Sequence, residues 1–398
     1  MHILVSLSLS LFFINKTCGS LSAVFTPHFD VVHYLHISAF DYGHRPEMTA
    51  AFFPLFGFVL RLVGNSLIYA SAINTICYGI GLYLIMKTFK IPIYIGILYI
   101  SLPTQFFFYI PYSESLYFLT ISLLLISLAK SKTKQGIISA LMSSVTRAAG
   151  TVLLPSLLVT SFLYRRVNAT IFSIALCFIV GTVAVVLYQY PYTHNYLAYM
   201  NAQQHWSHKL QWPKLPFDSW NYTYRWIDYT ALYFGFICIL ITIRLVFLAT
   251  IKGKLIEGEL IVGNYKSIPF QLMFSLLCIS ALTVFTLAYK GGLLFSLNRY
   301  LFCAPFFLIL LSDWAKLVKN NKFLLIVGLT LAYISCHMFI HIVAILIPLI
   351  GIAYILLIGY LPKLSKIIRV LLVGLLYLAG VIFQSYQCSV FYNDLWVA

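Results

Sequence analysis

Charge is scarce in this chain. Of 398 residues, only 9% are Asp, Glu, Lys or Arg, against about 25% in an ordinary soluble domain. Acid is the scarcer sign, with 10 Asp and Glu to 26 Lys and Arg. So little charge excludes a water-soluble fold, because a chain of this length has too much surface to leave apolar. No CxxC pair occurs among the eight cysteines, and six of them (Cys77, Cys177, Cys238, Cys278, Cys303 and Cys336) lie inside apolar runs. That argues against a disulfide framework and for small core residues. Only Cys18 and Cys388 fall near expected outer ends, and spacing does not decide whether they pair. No G-x-G-x-x-G or P-loop pattern is present, so the common nucleotide-binding fingerprints are missing. Internal repeats, low-complexity tracts and a soluble domain are missing too. What fills the chain is apolar: 61% hydrophobic residues and a mean hydropathy of +0.92. Lipid is its solvent. We read an all-α polytopic membrane protein, with 1–398 forming a single transmembrane domain.

The net charge of +16 does not mark a nucleic-acid binder, which needs one contiguous basic face. The cations fall in small groups between apolar runs: Lys87 and Lys90, Lys130 to Lys134, Arg165 and Arg166, Lys252 and Lys254, Lys316 to Lys322, Lys363 to Arg369. That is the pattern of cytoplasmic loops. Stretches of about 20 apolar residues place some 11 spans at roughly 2–24, 67–86, 91–110, 112–129, 169–190, 229–250, 268–289, 299–316, 323–341, 342–360 and 370–387. Residues 3–14 have the length of a signal-peptide core, but no Lys or Arg precedes them and no clear cleavage site follows, so a retained first span is expected. Residues 136–163 are ambiguous. One crossing there would put Arg165 and Arg166 outside and invert every later span. A re-entrant hairpin turning near Arg147 and Gly150 avoids this. Broken backbone at membrane depth must be buried in protein or line a polar cavity, so the hairpin hints at a cavity beside Arg147.

With the N-terminus inside, two loops lie outside, 25–66 and 191–228. The second carries Trp206, Trp212, Trp220 and Trp226, four of the six Trp. Trp favours the membrane–water interface, so both aromatic loops are expected to lie on the bilayer. Seven of the ten acidic residues (Asp30, Asp41, Glu47, Glu114, Asp218, Asp228 and Asp394) fall on this same side. Insertion does not require that skew, so it points to carboxylate chemistry on the outer face.

The densest polar run is His28-Phe29-Asp30-Val31-Val32-His33-Tyr34-Leu35-His36, followed by Asp41 and Glu47. A carboxylate between apolar neighbours loses hydration and takes up a proton more readily. Asp30 therefore reads either as a general base or as the cap of a helix over 31–40. His33 and His36 share a helix face and with His28 and Asp30 could hold a metal; neutral interfacial histidines are the plainer reading. Glu114, in Tyr112-Ser113-Glu114-Ser115, either faces a polar interior or serves the dipole of a Ser-capped helix. Arg147, among Ser143, Ser144, Ala148 and Gly150, suits a phosphate or snorkels to the surface. Arg299 starts a span on the outer side, where insertion does not need it. Asn201 to Trp206 and Trp212-Pro213 offer amides and aromatic faces for a sugar ring or for an interfacial helix. His337 and His341, four apart in a span, suggest a helix–helix hydrogen bond or a proton relay.

Taken in order, these segments resemble the PIG-V family, which adds the second mannose in glycosylphosphatidylinositol assembly, and its bacterial relatives. Phe29-Asp30 with His33-Tyr34-Leu35-His36-Ile37 and Tyr42-Gly43 resembles the family's Trp-Asp…Tyr-Leu-x-Ile-Ala…Gly-Tyr loop. Ala51-Phe52-Phe53-Pro54-Leu55 is similar to its AFFPL run. Tyr112-Ser113-Glu114-Ser115-Leu116 looks like its YSES segment, and Thr146-Arg147 with Gly150 like its TR-x-x-G. Gln203 to Trp206 with Trp212-Pro213 looks like its Gln…Trp…Trp-Pro loop, and Arg299-Tyr300 like its late RY. The chain departs in having Phe29 where the family has Trp and little sequence before it. The resemblance implies a GT-C architecture with the active site on the outer face. It also implies a polyprenyl (dolichyl)-phosphate sugar donor, a lipid-linked or glycan acceptor and inverting transfer of mannose. No cofactor and no metal are expected. It makes Asp30 the base, with Asp41 and Glu47 as further candidates. His33, Tyr34, Glu114, Arg147, Gln203, Trp206, Arg299 and Tyr300 become substrate-binding residues, with Arg299 and Arg147 on the phosphate. A secondary transporter, a lipid flippase or an inactive partner subunit are the alternatives. A bacterial plasma membrane is expected, the endoplasmic reticulum otherwise.

Overall fold

A computed structural model describes residues 2–18, 21–205, 208–219, 225–252, 254–256, 259–261, 268–336, 353 and 356–393. Trp206, Trp220, His337, His341, Asp394 and most of the expected span 342–360 lie outside those residues. The described chain is almost wholly helical. Five helices are long and apolar enough to cross a membrane: α5 (Leu67–Phe89), α10 (Ala169–Thr193), α12 (Arg225–Lys252), α13 (Phe270–Tyr289) and α17 (Lys366–Phe391). A sixth arises if α15 (Pro305–Asn320) and α16 (Lys322–Ser335), bent by 107°, count as one broken span. The remaining helices are α1 (His2–Cys18), α2 (Asp30–Phe40), α3 (Pro46–Thr49), α4 (Pro54–Leu62), α6 (Ile93–Ile100), α7 (Glu114–Lys130), α8 (Thr133–Thr146), α9 (Ala149–Leu163), α11 (Ala198–Gln204) and α14 (Leu297–Phe302).

Local chemistry sets several ends. Ser66, Asn168 and Ser365 each accept a hydrogen bond from a backbone N–H three residues on and so cap α5, α10 and α17, satisfying donors that no helix can pair internally. The burial pattern is that of a lipid-facing bundle. α10 turns Phe172, Leu176, Ile179, Val183 and Leu187 outward. α7 and α8 turn Ser115, Ser122, Ser127, Ser139, Ser143 and Ser144 inward. Hydrocarbon outside gives no reason to hide large side chains, so close backbone packing through small residues holds the helices together. At the α8–α10 crossing a Cβ on Gly136 would stand 2.7 Å from Ile174, and one on Gly181 would collide with the Ser144 hydroxyl. The chain is an all-α membrane protein.

The expected boundaries at 67–86, 112–129, 169–190, 229–250, 268–289 and 370–387 lie within a few residues of observed helices. Others need correction. Residues 91–110 do not make one span: α6 has 8 residues, and a 3₁₀ turn over Pro103–Phe108 follows. Proline at 103 and the polar Gln105, hydrogen bonded to the Phe302 carbonyl, favour the break. Residues 299–316 divide between α14 and α15, because Pro305 starts a new helix. The basic stretch after α12 holds a small antiparallel hairpin, Lys254–Ile256 with Glu259–Ile261. The eight cysteines are all free, Cys18 and Cys388 included.

Contacts sort the helices into two ends. At one end lie the start of α7, the end of α8, the end of α13 and α14, joined by the Glu114 and Arg299 contacts given below. There too the Gln189 amide donates to the Ala50 carbonyl at 2.9 Å. At the other end Thr133 meets Thr170 at 2.9 Å, the Tyr164 hydroxyl donates to the Ile268 carbonyl at 2.6 Å, and Arg244 donates to Asn321 at 2.8 Å. Residues 133–163 therefore run as α8 toward the first end and return as α9, with the break at Arg147 and Ala148. Each helix is about 21–23 Å long, so the pair reaches most of the way across a bilayer. The expected turn near Arg147 and Gly150 agrees with this geometry.

The two segments expected outside pack against the bundle. Residues 25–66 fold into α2, α3 and α4, which bury Tyr34, Ile37, Tyr42, Phe56 and Leu60. Residues 208–219 form an extended strap across the ends of α13 and α16. In it Gln211 N–H donates to Ala288, Lys214 N–H to Gly291 and Phe217 N–H to the Ser335 carbonyl. Trp212 projects from the strap, 92% exposed. A cysteine at Trp212 should react with an impermeant thiol reagent added outside, and one at Lys132 or Lys319 only after permeabilisation. Labelling of positions 212 and 132 from the same side would overturn this two-ended arrangement.

Candidate active site

Four charged groups from distant segments meet at the first end. Asp30 is the first residue of α2, behind Phe29 in the left-handed region at φ 49°. The cap position is Phe29 and Asp30 is already helical, so Asp30 is not the cap. Its carboxylate turns inward, and Oδ2 accepts from Arg299 Nη2 at 3.0 Å. Its N–H donates to the Tyr112 hydroxyl at 3.2 Å. Glu114 opens α7 with no Ser cap from Ser113. Glu114 Oε1 accepts from Arg299 Nε at 3.0 Å and Nη2 at 2.5 Å, and lies 2.5 Å from Arg147 Nη1. The side chains of Glu114, Arg299 and Arg147 are only 3%, 5% and 15% exposed. Arg147 does not snorkel; it reaches inward at the α8–α9 break and lies over the Tyr117 and Tyr300 rings. Arg299 lies over Phe107 and Tyr112. Ser113 Oγ joins the two sides, accepting from Tyr34 at 2.8 Å and from Arg147 at 3.3 Å. Burial of this much charge is tolerable because each cation has a carboxylate. Arg299 itself belongs to the short helix α14, a correction to its expected place at a span start.

A cavity of about 710 Å³ opens beside this cluster. Of the residues expected to bind or react, Asp30, His33, Tyr34, Arg147, Gln203, Arg299 and Tyr300 all line it, while Glu114 stands behind the arginines. His33 stacks on Phe52 at 4.6 Å, and burial lowers its proton affinity. His36 turns to His44 instead, at 4.7 Å, and no group of three metal-ligating side chains occurs among the described residues. Asp41 and Glu47 lie elsewhere. Glu47 is exposed on α3. Asp41 accepts from Arg61 at 2.5 Å, Tyr188 at 2.6 Å and Tyr192 at 3.4 Å. Partial burial pushes its carboxyl up, but those bonds and the Arg61 charge outweigh burial and hold it below the usual range. It clamps the 25–66 segment to the end of α10.

The structure adds cavity residues that the motifs did not single out. Lys290 follows α13 and is buried, its ammonium donating to the Phe295 carbonyl at 2.6 Å. It lies 3.7 Å from the Phe295 ring centroid and 5.1 Å from that of Tyr300. His208, in the strap, stacks on Phe295 at 5.2 Å and pairs its Nδ1 with Gln203 Oε1 at 2.6 Å. Asp228, behind them, accepts from Ser219 at 2.6 Å and from the Asn298 amide at 2.8 Å. A signal for Lys290 was present: like Arg299, it is a cation at the expected outer end of an apolar run. The cavity thus joins a carboxylate, three cations and aromatic walls, a set suited to an anionic ligand with a ring to stack. Comparison with protein-family models, curated proteins and solved structures gives no match, so the family resemblance rests on the motifs alone.

Proposed function

We propose that this chain is an inverting membrane glycosyltransferase of PIG-V-like, GT-C type. In this reading it moves mannose from a polyprenyl-phosphate donor to a lipid-linked or glycan acceptor on the outer face of the plasma membrane. One observation carries the reading. Motifs scattered from residue 30 to residue 300 converge on one cavity, and the candidates that meet there are a carboxylate, two arginines, two tyrosines, a histidine and a glutamine. Arg299 holds Asp30 Oδ2 and leaves Oδ1 for a hydroxyl in the cavity. The acceptor O–H gives its proton to Asp30 while its oxygen attacks the anomeric carbon. The bond from that carbon to the phosphate oxygen breaks on the opposite face, and the electron pair leaves with the phosphate. The transition state is oxocarbenium-like, as in other glycosyl chemistry. Arg147 and Arg299 supply positive potential where charge develops, although Glu114 already engages both forks.

The test is transfer by the purified protein in liposomes, using a panel of radiolabelled polyprenyl-phosphate sugars and lipid acceptors. Labelled product from the mannosyl donor is expected. Absence of product with every donor would sink the reading. Movement of intact lipid across the vesicle without any bond breaking would replace it with a flippase or transporter.

A further inference from the structure

The arginines are poor candidates to grip the donor directly. Arg299 directs Nη2 at Asp30 and Glu114 and Nε at Glu114, and Arg147 directs Nη1 at Glu114 and Ser113. Lys290 differs. Its ammonium carries three donors, one of which goes to the Phe295 carbonyl. Among the described residues it makes no ion pair within 4 Å, although Asp228 and Asp30 lie within electrostatic reach. A buried cation without an anion is costly, and this one lines the cavity.

A second group lining the same cavity has one unsatisfied atom. With Gln203 Oε1 accepting from His208 Nδ1, the proton sits on Nδ1 and Nε2 carries a bare lone pair. Nε2 is buried and has no hydrogen-bond partner among the described residues. Burial and then the Lys290 charge lower the imidazole to about 3, so Nε2 stays an acceptor at neutral pH and needs a donor from the cavity. Lys290 and His208 flank the same Phe295 ring. A cation for an anion and an acceptor for a hydroxyl therefore share one aromatic ring and one cavity. A sugar 1-phosphodiester presents that pair, with one negative charge a few bonds from ring hydroxyls.

We infer that Lys290 and His208 form the subsite for the phosphate and sugar of the donor, Lys290 taking the phosphate oxygen and His208 Nε2 accepting a sugar hydroxyl. The inference rests on the transferase reading. It divides labour in the cavity: Lys290 grips the phosphate, the arginines hold Asp30 and Glu114, and Phe295 supplies an aromatic wall.

The pH dependence follows. Burial, and secondarily Arg299, lower the Lys290 ammonium to about 7, against Asp228 and Asp30, which raise it. The charged and titratable groups around it come from α12 (Asp228), α2 (Asp30), α14 (Arg299 and Tyr300) and the strap (His208). A bound diester favours the charged form, so affinity is greatest below about 7 and falls as the free amine becomes neutral above it.

The experiment measures binding of farnesyl-phosphoryl-mannose to the full chain in phosphatidylcholine nanodiscs. This diester keeps its single charge over the range used. Lys290→Met should weaken binding at least tenfold, and Lys290→Arg should retain most of it. His208→Phe, which keeps the stack on Phe295, should weaken the mannose diester and spare farnesyl phosphate. In the wild type, affinity should fall toward tenfold per unit between pH 7 and 9, an arm that needs no variant to fold. Undiminished binding by Lys290→Met, or a flat wild-type profile, overturns the subsite while leaving the transferase reading intact. Absence of wild-type binding removes both. Displacement by equimolar phosphatidylglycerol would make this a bulk-lipid headgroup site and overturn the donor assignment.

Discussion

Asp30→Asn should leave the protein folded and inserted and lower transfer by about 10²–10⁴-fold, the usual contribution of a positioned general base. The amide has nearly the shape of the carboxylate. Its oxygen can still accept from Arg299 Nη2, and Glu114 still engages Arg299 through two bonds. What it cannot do is take up the acceptor proton. Donor binding should therefore survive while the chemical step slows, which separates Asp30 from Lys290, where binding itself should fail. Asp41→Asn and Glu47→Gln serve as contrasts. Asp41 is spent on Arg61, Tyr188 and Tyr192, so its loss should loosen α2 against α10 and reduce stability more than turnover. Glu47 is exposed on α3, and its substitution should change little. Near-normal turnover in Asp30→Asn together with a large loss in Glu47→Gln would move the base to Glu47.

Glu114→Gln should be the most destabilising single change in the cluster. One carboxylate pairs with two buried guanidinium groups. Its loss leaves Arg147 with Ser113 and two aromatic faces, and leaves Arg299 with Asp30 as its carboxylate. Removing one partner of a buried ion pair costs about 3–5 kcal/mol, because the remaining charge is left desolvated. Thermal unfolding in detergent, followed by an intrinsic fluorescence change or by aggregation, reports the loss. The double variant Glu114→Gln with Arg147→Gln removes the stranded charge as well and should be less unstable than Glu114→Gln alone, a coupling that a double-mutant cycle measures. A Glu114→Gln protein that unfolds like wild type would mean that water or lipid phosphate already compensates the arginines. Arg147 and Arg299 would then be available to the donor after all.

Much of the fold was legible because membrane spans announce themselves by length and hydropathy alone. α5, α7, α10, α12, α13 and α17 follow apolar runs bounded by Lys, Asn or Pro. The α8–α9 pair was reached by charge placement: Arg165 and Arg166 had to return to the side of the other cations. Hydropathy failed where an apolar run is interrupted for local reasons. Residues 91–110 read as one span, yet Pro103 and the Gln105 hydrogen bond to Phe302 divide them. Residues 299–316 read as another, yet Pro305 ends α14. The site was legible in its members more than in their roles. Asp30, Glu114, Arg147 and Arg299 were each singled out as a charge in an apolar setting, but a single sequence does not say which carboxylate meets which arginine. In the structure both arginines meet Glu114, and Arg299 also meets Asp30, pairings that no single motif specifies. Lys290 stands out less in the sequence because its neighbours Tyr289 and Gly291 form no familiar motif.

The order of synthesis gives the Glu114–Arg147 pair a second meaning. Glu114 meets Arg299 only after 185 further residues have been made, and Asp30 waits 269 for the same arginine. Helices α7, α8 and α9 must enter the membrane long before that. An unaccompanied charge among apolar helices is expensive, and Arg147, one helix hairpin away, is the counter-ion available to the nascent chain. The early bundle can thus travel as a neutral unit, with Asp30 idle at its edge. Threading of α14 then brings Arg299 to both carboxylates at once. Until that moment Asp30 lacks the hydrogen bond from Arg299 that the folded chain gives it.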